Sequence, residues 1–433
     1  MNIKQLTVAV FMLLTSTAVN AQQGTWKGEL DVYGTKLPLI FNFTADGCSI
    51  DSPAQGAKGI PAQKSVAEDG TIKVTIAMIG ATFEGKQSDN RIEGMFSQGG
   101  ASLPLVLTPG TVEVKRPQTP VAPFPYKEEN ISFDNAGFKF NGTLTIPSNC
   151  TRKTPVVLLV TGSGQQNRDE ELFDHKPFAV IADALARQGI ASLRYDDRGW
   201  NDKSVDFASF TTADFKQDAT AAMQMLRSRF DRVGVLGHSE GGTIALLLGA
   251  ESKADFVVSL AGMAISGKET IAEQNKMMLS TLPLPEDTRK TCMETIEKAL
   301  DELAAGKSVN DILNNNDQQQ LRPMLEQVLQ KVDTKYLRYF LTIDASRELP
   351  KIKCPVLALN GTKDTQVNCD KNIAALEHGL TNSRHTVKKV DGVNHLFQHC
   401  QTGNVMEYQQ IEETIAPEVL QTISTWITEN YGK

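Results

Sequence analysis

The sequence predicts an α/β protein: a mostly parallel sheet with helices on both faces and a helical cap insertion, preceded by a small antiparallel β-barrel or sandwich. Three observations predict this. Residues 24–109 alternate polar and apolar side chains with the period of strands. From residue 126 onward, short apolar runs alternate with helical stretches, as in parallel sheets covered on both faces. Residues 263–348 carry helical periodicity alone, so we interpret them as a cap between two strands.

The composition excludes several classes of protein. The 433 residues are 40% hydrophobic and 22% charged, unlike disordered, collagen-like or coiled-coil chains. Lys and Arg number 44 against 51 Asp and Glu, a net charge of −7, and there is no basic run to neutralise phosphates. We therefore expect no nucleic-acid partner. No long apolar surface stripe stands out, and the sequence predicts no particular oligomeric state.

The first 21 residues have the pattern of a signal peptide. Lys4 supplies the positive charge, residues 6–14 form a short apolar run, and residues 19–21 place small side chains at the cleavage site. The alternative is a membrane anchor, but the apolar run is too short to span a bilayer. We expect cleavage after Ala21, no membrane span in the mature protein, and export to a periplasm or beyond the cell.

Two domains are expected after this segment. Residues 22–112 form the small all-β domain, residues 113–125 a Pro-rich linker, and residues 126–433 the larger domain. We find no titratable cluster in the β domain. It is interpreted as a packing or accessory module, with a ligand-binding barrel, for instance one that binds glycan, as the alternative.

Each element of the larger domain follows from its pattern. Residues 129–146 predict a hairpin, since two alternating runs flank the turn Asp134–Gly137. Continuous apolar runs predict buried strands, at 156–160, 191–195, 233–236, 256–260, 355–359 and 385–390. Helical periodicity predicts helices at 178–188, 212–228, 241–251 and 417–429, and in the cap at 268–282, 285–305 and 309–341. Six cap side chains belong either to an apolar pocket or to the cap's own core: Met277, Met278, Leu279, Tyr336, Tyr339 and Phe340.

The motif at 237–241, Gly-His-Ser-Glu-Gly, lies between the strand at 233–236 and a helix. That is the context of a nucleophile elbow, in which a tight turn presents the serine above the sheet. Glycines flank the serine where a Cβ would clash. Ser239 is therefore the candidate nucleophile.

A serine hydroxyl needs a base, and the base needs an acid. His395 follows the last strand, in a loop that can fold back over the elbow, and His399 is the second candidate. Asp364 follows the neighbouring strand, with Asp391 as the alternative acid. The chain order Ser239, Asp364, His395 differs from the orders of the two unrelated serine protease folds.

A tetrahedral intermediate also needs donors for its oxyanion. The backbone N–H of Glu240, directly after the nucleophile, is the first candidate. The second is the backbone N–H of Ser163, in the small-residue loop 161–164 that follows an earlier strand.

With these residues the chain resembles the α/β-hydrolase superfamily, and within it exported bacterial esterase-like hydrolases of the serine-aminopeptidase and dienelactone-hydrolase-like groups, which often carry a small β domain in front. The resemblance covers about residues 126–433. It is carried by residues 162–170 (GSGQQNRDE), 194–199 (RYDDRG), 237–242 (GHSEGG), 361–364 (GTKD) and 394–395 (NH). It implies an α/β-hydrolase fold and a small-molecule acyl ester substrate, and no metal or organic cofactor.

Other activities use the same triad. A peptidase or amidase needs carboxylates for a free amine, but Glu170-Glu171 and Glu412-Glu413 are interpreted as surface charge. An acyltransferase would use an acceptor that competes with water. A binding module that has lost catalysis is disfavoured by the intact triad. If the two loops that carry Asp364 and His395 meet, a disulfide between Cys369 and Cys400 becomes feasible. Separately, Arg168 is expected to form an ion pair with Asp169.

Overall fold

The computed structural model describes residues 23–432, except residues 33–34, 45–46, 56, 112–114, 201, 281 and 382–383. The predicted signal peptide, residues 1–21, lies outside the described residues. The chain divides between residues 113 and 114 into two compact units. In the part of the chain described, no helix is both long and apolar enough to cross a membrane.

The described residues of the first unit form a closed barrel of eight antiparallel strands, each paired with the next in sequence. The strands are β1 (Gly24–Val32), β2 (Thr35–Phe43), β3 (Cys48–Ser52), β4 (Ala57–Val66), β5 (Thr71–Ile76), β6 (Ala81–Ser88), β7 (Arg91–Gln98) and β8 (Ala101–Pro109). Pairing of β1 with β8 closes the barrel, with Lys27 opposite Thr108. Of the two predicted architectures, barrel or sandwich, the barrel is confirmed.

Apolar side chains fill the interior of the barrel. The strand period sends alternate residues inward, so β5 buries Ile72, Val74 and Ile76 together. Phe41 is fully buried, with its ring centroid 5.3 Å from that of Phe83. An eight-stranded barrel has an interior just wide enough for side chains to fill.

The second unit contains an eight-stranded mixed sheet in its described part, in the order β16-β15-β14-β13-β11-β12-β10-β9. Its strands are β9 (Lys127–Asn135), β10 (Phe138–Ile146), β11 (Val156–Val160), β12 (Ala191–Tyr195), β13 (Val233–His238), β14 (Val257–Leu260), β15 (Val356–Gly361) and β16 (His385–Val390). Strands β11 to β16 are parallel, whereas β9 and β10 form the predicted antiparallel hairpin at one edge. The carboxyl ends of the parallel strands therefore share one edge of the sheet.

Helices cover both faces of this sheet, and others form the cap. In chain order the helices of the described part are α1 (Pro177–Arg187), α2 (Thr212–Arg227), α3 (Glu240–Ala250), α4 (Gly267–Ser280), α5 (Glu286–Ala304), α6 (Val309–Asn314), α7 (Arg322–Val332), α8 (Lys335–Leu341), α9 (Cys369–Gly379) and α10 (Pro417–Tyr431). Helices α1 and α10 contribute to one apolar core, and α2, α3 and α9 contribute to the other. The α/β-hydrolase fold expected from the resemblance is confirmed.

The cap consists of α4 to α8, between β14 and β15, with an apolar core of its own. The single helical stretch expected at 309–341 is wrong, because three helices occupy it. The Asn side chains at 314–316 favour turns over helix, and the Asn316 side chain accepts from the N–H of Gln318. Pro323 lies in the first turn of α7, and the Thr334 hydroxyl caps α8 by accepting from the N–H of Leu337.

The expected linker includes residues that bind to the second unit. The Arg116 guanidinium donates to the carbonyls of Phe173, Gln409 and Ile411 at 2.7–3.2 Å. The Gln118 side chain accepts from the N–H of Thr414. Part of the Pro-rich segment is thus held against the larger unit by hydrogen bonds, in agreement with the division of the chain at 113/114.

Candidate active site

The candidate nucleophile Ser239 lies in a tight turn between β13 and α3. Strand β13 ends at His238 and α3 begins at Glu240, while Ser239 itself has φ 54° and ψ −120°. A positive φ is strained for a residue with a side chain, and such strain is concentrated at functional sites. The Ser239 N–H donates to the carbonyl of Leu260, 2.9 Å away, which ties the turn to β14.

The two glycines of the motif are required by close backbone contacts. A Cβ on Gly237 would lie 1.9 Å from the carbonyl oxygen of Gly241. A Cβ on Gly241 would lie 2.0 Å from the carbonyl oxygen of Val160, on the neighbouring strand. Neither distance is possible between non-bonded atoms, so the spacing of the motif follows from the crossing of α3 over β13 and β11.

The candidate base and acid are hydrogen-bonded to each other. His395 Nδ1 lies 2.8 Å from Asp364 Oδ2, and both side chains are buried. Asp364 Oδ1 accepts from the backbone N–H groups of Gln366 and Val367, each at 2.8 Å. An ionised carboxylate only accepts, so Nδ1 of His395 carries the proton and Nε2 is its basic nitrogen.

Ser239 and His395 line the same cavity, which has a volume of about 470 Å³. Its apolar wall comes largely from the cap and the loops below it: Leu172, Met263, Ile271, Leu337, Phe340, Val367 and Leu396. Among the described residues that line it there is no lysine or arginine. Of the six cap side chains with two expected locations, Tyr336 and Phe340 reach this cavity, whereas Leu279 belongs to the cap core.

Both candidate oxyanion donors lie beside the elbow. Ser163 lines the cavity in the loop after β11, and Glu240 is the first residue of α3. Asp197 holds the Ser163 loop from two sides. It accepts from the Thr161 hydroxyl at 2.9 Å and from the N–H of Gln166 at 2.7 Å.

The side chain of Glu240 makes contacts that the sequence analysis missed. It is buried, and its carboxyl group accepts from the Thr212 hydroxyl at 2.5 Å and from the Tyr336 hydroxyl. The Ser163 side chain also hydrogen-bonds to it. Burial raises the pKa of Glu240, and these three hydrogen bonds oppose the rise. Tyr336 thereby links the cap to the residue after the candidate nucleophile.

Glu170 and His238 are a second buried pair beside the first. Glu170 was interpreted as surface charge, which is wrong: it is 5% exposed and lines the cavity. Its Oε1 lies 3.1 Å from His238 Nδ1. The ring of His238 packs on that of His395, with centroids 4.8 Å apart. One feature of the sequence could have predicted this pair: His238 lies at the end of a buried strand, where a polar side chain needs a hydrogen-bond partner.

The structure does not bring the alternative base and acid into the cavity. His399 is exposed, and its ring nitrogens face Glu413 and Glu418. Asp391 is exposed as well, and it accepts from the Thr362 hydroxyl in a turn.

Two further sequence expectations are corrected. Arg168 pairs with Asp196, and Asp169 pairs with Arg194, because the loop at 168–169 lies against the end of β12. Cys369 and Cys400 are both free thiols. Their thiols point to separate carbonyls, and so no disulfide joins the two loops.

Similar proteins are known for this chain. Esterase EstD of Thermotoga maritima is 35% identical over 181 residues, which are 41% of this chain and 42% of EstD. The chain thus matches less than half the length of that relative. Est1E from Butyrivibrio proteoclasticus with bound ferulic acid is 16% identical, covering 70% of this chain and all of Est1E, with a TM-score of 0.45. Proline iminopeptidase of Mycobacterium smegmatis is 15% identical, covering 70% and 98% of the two chains, with a TM-score of 0.45.

A family model adds the decisive match. The model described as serine aminopeptidase, S33, matches residues 175–399, more than half of the chain. That range contains Ser239, Asp364 and His395. The α/β fold and the match together identify this chain as a member of the serine aminopeptidase S33 family of α/β-hydrolases.

Proposed function

We propose that this protein is a serine hydrolase that cleaves carboxylic esters through Ser239, His395 and Asp364. The observation that carries the proposal is the buried hydrogen bond between Asp364 and His395, beside a serine held at positive φ in the same cavity. A serine becomes nucleophilic when a neighbouring base takes its proton, and the base acts when a carboxylate fixes its tautomer.

In the first half of the reaction, Ser239 Oγ attacks the acyl carbon and its proton moves to His395 Nε2. Asp364 stabilises the resulting imidazolium through the proton on Nδ1. The bond between the acyl carbon and the alcohol oxygen then breaks. His395 gives its proton to the leaving alcohol, and the acyl group stays on Ser239 as an ester.

In the second half, water attacks the acyl-enzyme and gives one proton to His395 Nε2. The acid leaves as the Ser239 oxygen recovers that proton, which restores the starting state. The backbone N–H groups of Ser163 and Glu240 are proposed to hold the oxyanion in both halves. Losing one such donor costs roughly 10²–10³-fold in rate. Neither a metal nor an organic cofactor takes part in the proposed steps.

The charge of the cavity favours an ester over a peptide with a free amine. An ammonium group needs an uncompensated carboxylate, and among the described lining residues of this cavity Glu170 is the one acidic side chain. It already faces His238 and accepts from the N–H of Gly162. The name of EstD, an esterase, agrees with this preference. Cleavage of amides by the same triad is the second candidate, and the family description supports it.

The test compares p-nitrophenyl esters of increasing acyl length with aminoacyl nitroanilides. We expect ester turnover, with silent anilides, and a fall in kcat of at least about 10⁴-fold in Ser239→Ala. A fluorophosphonate should label the native protein at Ser239 and leave the variant unlabelled. The matched control is Ser102→Ala, which removes an exposed hydroxyl on the barrel and should retain both turnover and labelling.

The outcomes separate the candidate functions. If anilides are cleaved faster than esters, the amidase replaces the esterase. If Ser239→Ala keeps ester turnover, the assignment of the nucleophile is wrong. If the native protein turns over neither substrate class and takes up no fluorophosphonate, the serine hydrolase itself is ruled out.

A further inference from the structure

His238 connects two loops of the candidate active site. Its Nδ1 lies 3.1 Å from Glu170 Oε1, and its Nε2 lies 2.9 Å from the backbone carbonyl oxygen of His395. The same Glu170 oxygen accepts from the N–H of Gly162, 2.7 Å away. A continuous chain of hydrogen bonds therefore runs from the loop of Ser163, through Glu170 and His238, to the backbone of the candidate base.

The partners of His238 fix its protonation. A carbonyl oxygen only accepts, so Nε2 must carry a proton. Nδ1 faces a carboxylate oxygen, which accepts as well, so this nitrogen also carries a proton and the ring is an imidazolium. Burial disfavours that charge, but Glu170, the carbonyl of His395 and the more distant charge of Asp364 outweigh the burial and raise the pKa of His238.

The surroundings of this pair are tight. Glu170 has φ 52°, in the left-handed region, so its backbone is held in a conformation that a side chain disfavours. A Cβ on Gly162 would lie 3.2 Å from the Cβ of Ser239 and 3.3 Å from Glu170 Oε1. A shift of either loop would therefore move atoms next to the nucleophile.

We propose that Glu170 and His238 are positioning residues, an imidazolium–carboxylate pair that holds the Gly162–Ser163 loop and His395 in place around Ser239. The inference rests on the proposed function, since the positioning concerns ester cleavage. His238 transfers no proton to or from the substrate, because both of its ring nitrogens already donate hydrogen bonds, one to Glu170 and one to the carbonyl of His395. An ångström-scale misplacement of reacting groups costs about 10²-fold in rate.

Kinetics of two variants test the proposal. Glu170→Gln and His238→Gln should each lower kcat by roughly 10–10²-fold and change KM by less than about threefold. The matched control is Glu171→Gln, which removes the same charge from a partly exposed neighbour and should keep native kinetics.

The pH profile separates positioning by charge from a merely structural role. The raised pKa of His238 means that the pair is intact at lower pH and is lost as pH rises through that pKa, so native activity should fall on the alkaline side. Without the Glu170 carboxylate, burial acts unopposed and lowers the pKa of His238. In Glu170→Gln the alkaline fall should therefore move to lower pH by about one to three pH units. His238→Gln removes the titrating group, so the alkaline fall in activity should be absent in this variant.

Nitrogen NMR of histidine-labelled native protein gives a readout that does not depend on turnover. One ring should have both nitrogens protonated at neutral and mildly alkaline pH, and its signals should be missing in His238→Gln. If no ring of the native protein keeps both nitrogens protonated at neutral and mildly alkaline pH, the proposal is overturned. Equal loss of activity at every pH in Glu170→Gln, or native kinetics in both variants, also overturns it. Absent turnover in the native protein would instead contradict the proposed function, while the NMR result still decides the charge of His238.

Discussion

The barrel and the α/β unit bury different kinds of side chain. Among the described residues of the barrel, Ser52 is the only buried polar side chain, and the rest of its interior is apolar. Every other buried polar or charged residue lies in the α/β unit, within residues 143–424. Several of them lie at or after the carboxyl ends of parallel strands, among them Thr161, His238, Asp364 and His395.

The difference in buried polar side chains follows from the closed pairing of the barrel and the open edge of the parallel sheet. A closed antiparallel barrel pairs its strands all the way round, so its interior can be filled by apolar side chains. An open parallel sheet exposes one edge of strand ends, where loops and a helix N-terminus converge. Polar groups can be buried there because backbone donors and acceptors satisfy them. We therefore expect changes in the two units to affect different quantities, turnover in one and stability in the other.

The largest expected effect is on turnover, from Asp364→Asn. An asparagine can donate to His395 Nδ1 and stabilise the wrong tautomer, and it cannot balance the charge of an imidazolium. We expect kcat for a p-nitrophenyl ester to fall by about 10⁴-fold while the thermal unfolding temperature changes little.

Asp391→Asn is the matched control, since it makes the same chemical change at the exposed alternative acid. It should keep kcat within about twofold of the native value, as expected for an exposed side chain outside the cavity. A large loss in Asp391→Asn together with a small loss in Asp364→Asn would reverse the assignment of the acid.

The next effect is on the stability of the barrel, from Phe41→Ala. Phe41 is fully buried and packs on Phe83 and Phe43, with ring centroids 5.3 and 6.0 Å away. Its truncation should lower the free energy of unfolding of the barrel by about 3–5 kcal/mol. Calorimetry and ester kinetics on the same sample check this, and kcat per folded molecule should be unchanged. A fall in kcat at a temperature where the barrel is still folded would show that the barrel contributes to the site.

The sequence carried enough information to predict the architecture and to predict that Asp364 and His395 lie near the turn of Ser239. Parallel strands bring their carboxyl ends to one edge, so residues that follow such strands meet there even when far apart in the chain. This rule applies to Ser239, Asp364 and His395, each in a loop after a strand. The close contacts of Gly237 and Gly241 add a local constraint that is also visible in the sequence.

No comparable rule predicts the contacts of Tyr336 and Glu170 from the sequence. Tyr336 reaches Glu240 from a cap helix, and the position of that helix depends on breaks at 315–321 and 333–334 that periodicity alone did not reveal. Glu170 lies in a loop with irregular backbone, and a run of charged residues is more often exposed than buried. Both side chains are recognised only when their burial and their partners are known.

The smallest expected effect sharpens the comparison within the α/β unit itself, between the elbow and its cap. Tyr336→Phe removes a hydroxyl that donates to the buried Glu240 carboxyl group and keeps the ring that lines the cavity. Loss of a hydrogen bond to a charged group should lower the free energy of unfolding by about 1.5–3 kcal/mol. Ester turnover should fall only modestly, by about tenfold or less, because the Ser163 loop keeps its contacts with Asp197.

The pH dependence of this effect has a definite sign. Burial raises the pKa of Glu240 and the Tyr336 hydrogen bond opposes the rise, so the variant should raise that pKa further. A carboxyl group with a raised pKa destabilises the fold as pH increases through its titration range. The stability difference between native protein and Tyr336→Phe should therefore be largest at neutral pH and shrink as acid protonates Glu240 in both. Urea unfolding at several pH values measures it, with Tyr339→Phe on the same helix, at a more exposed position, as the control. A difference that is constant with pH would mean that Tyr336 stabilises the cap by packing alone, without coupling it to the ionisation of Glu240.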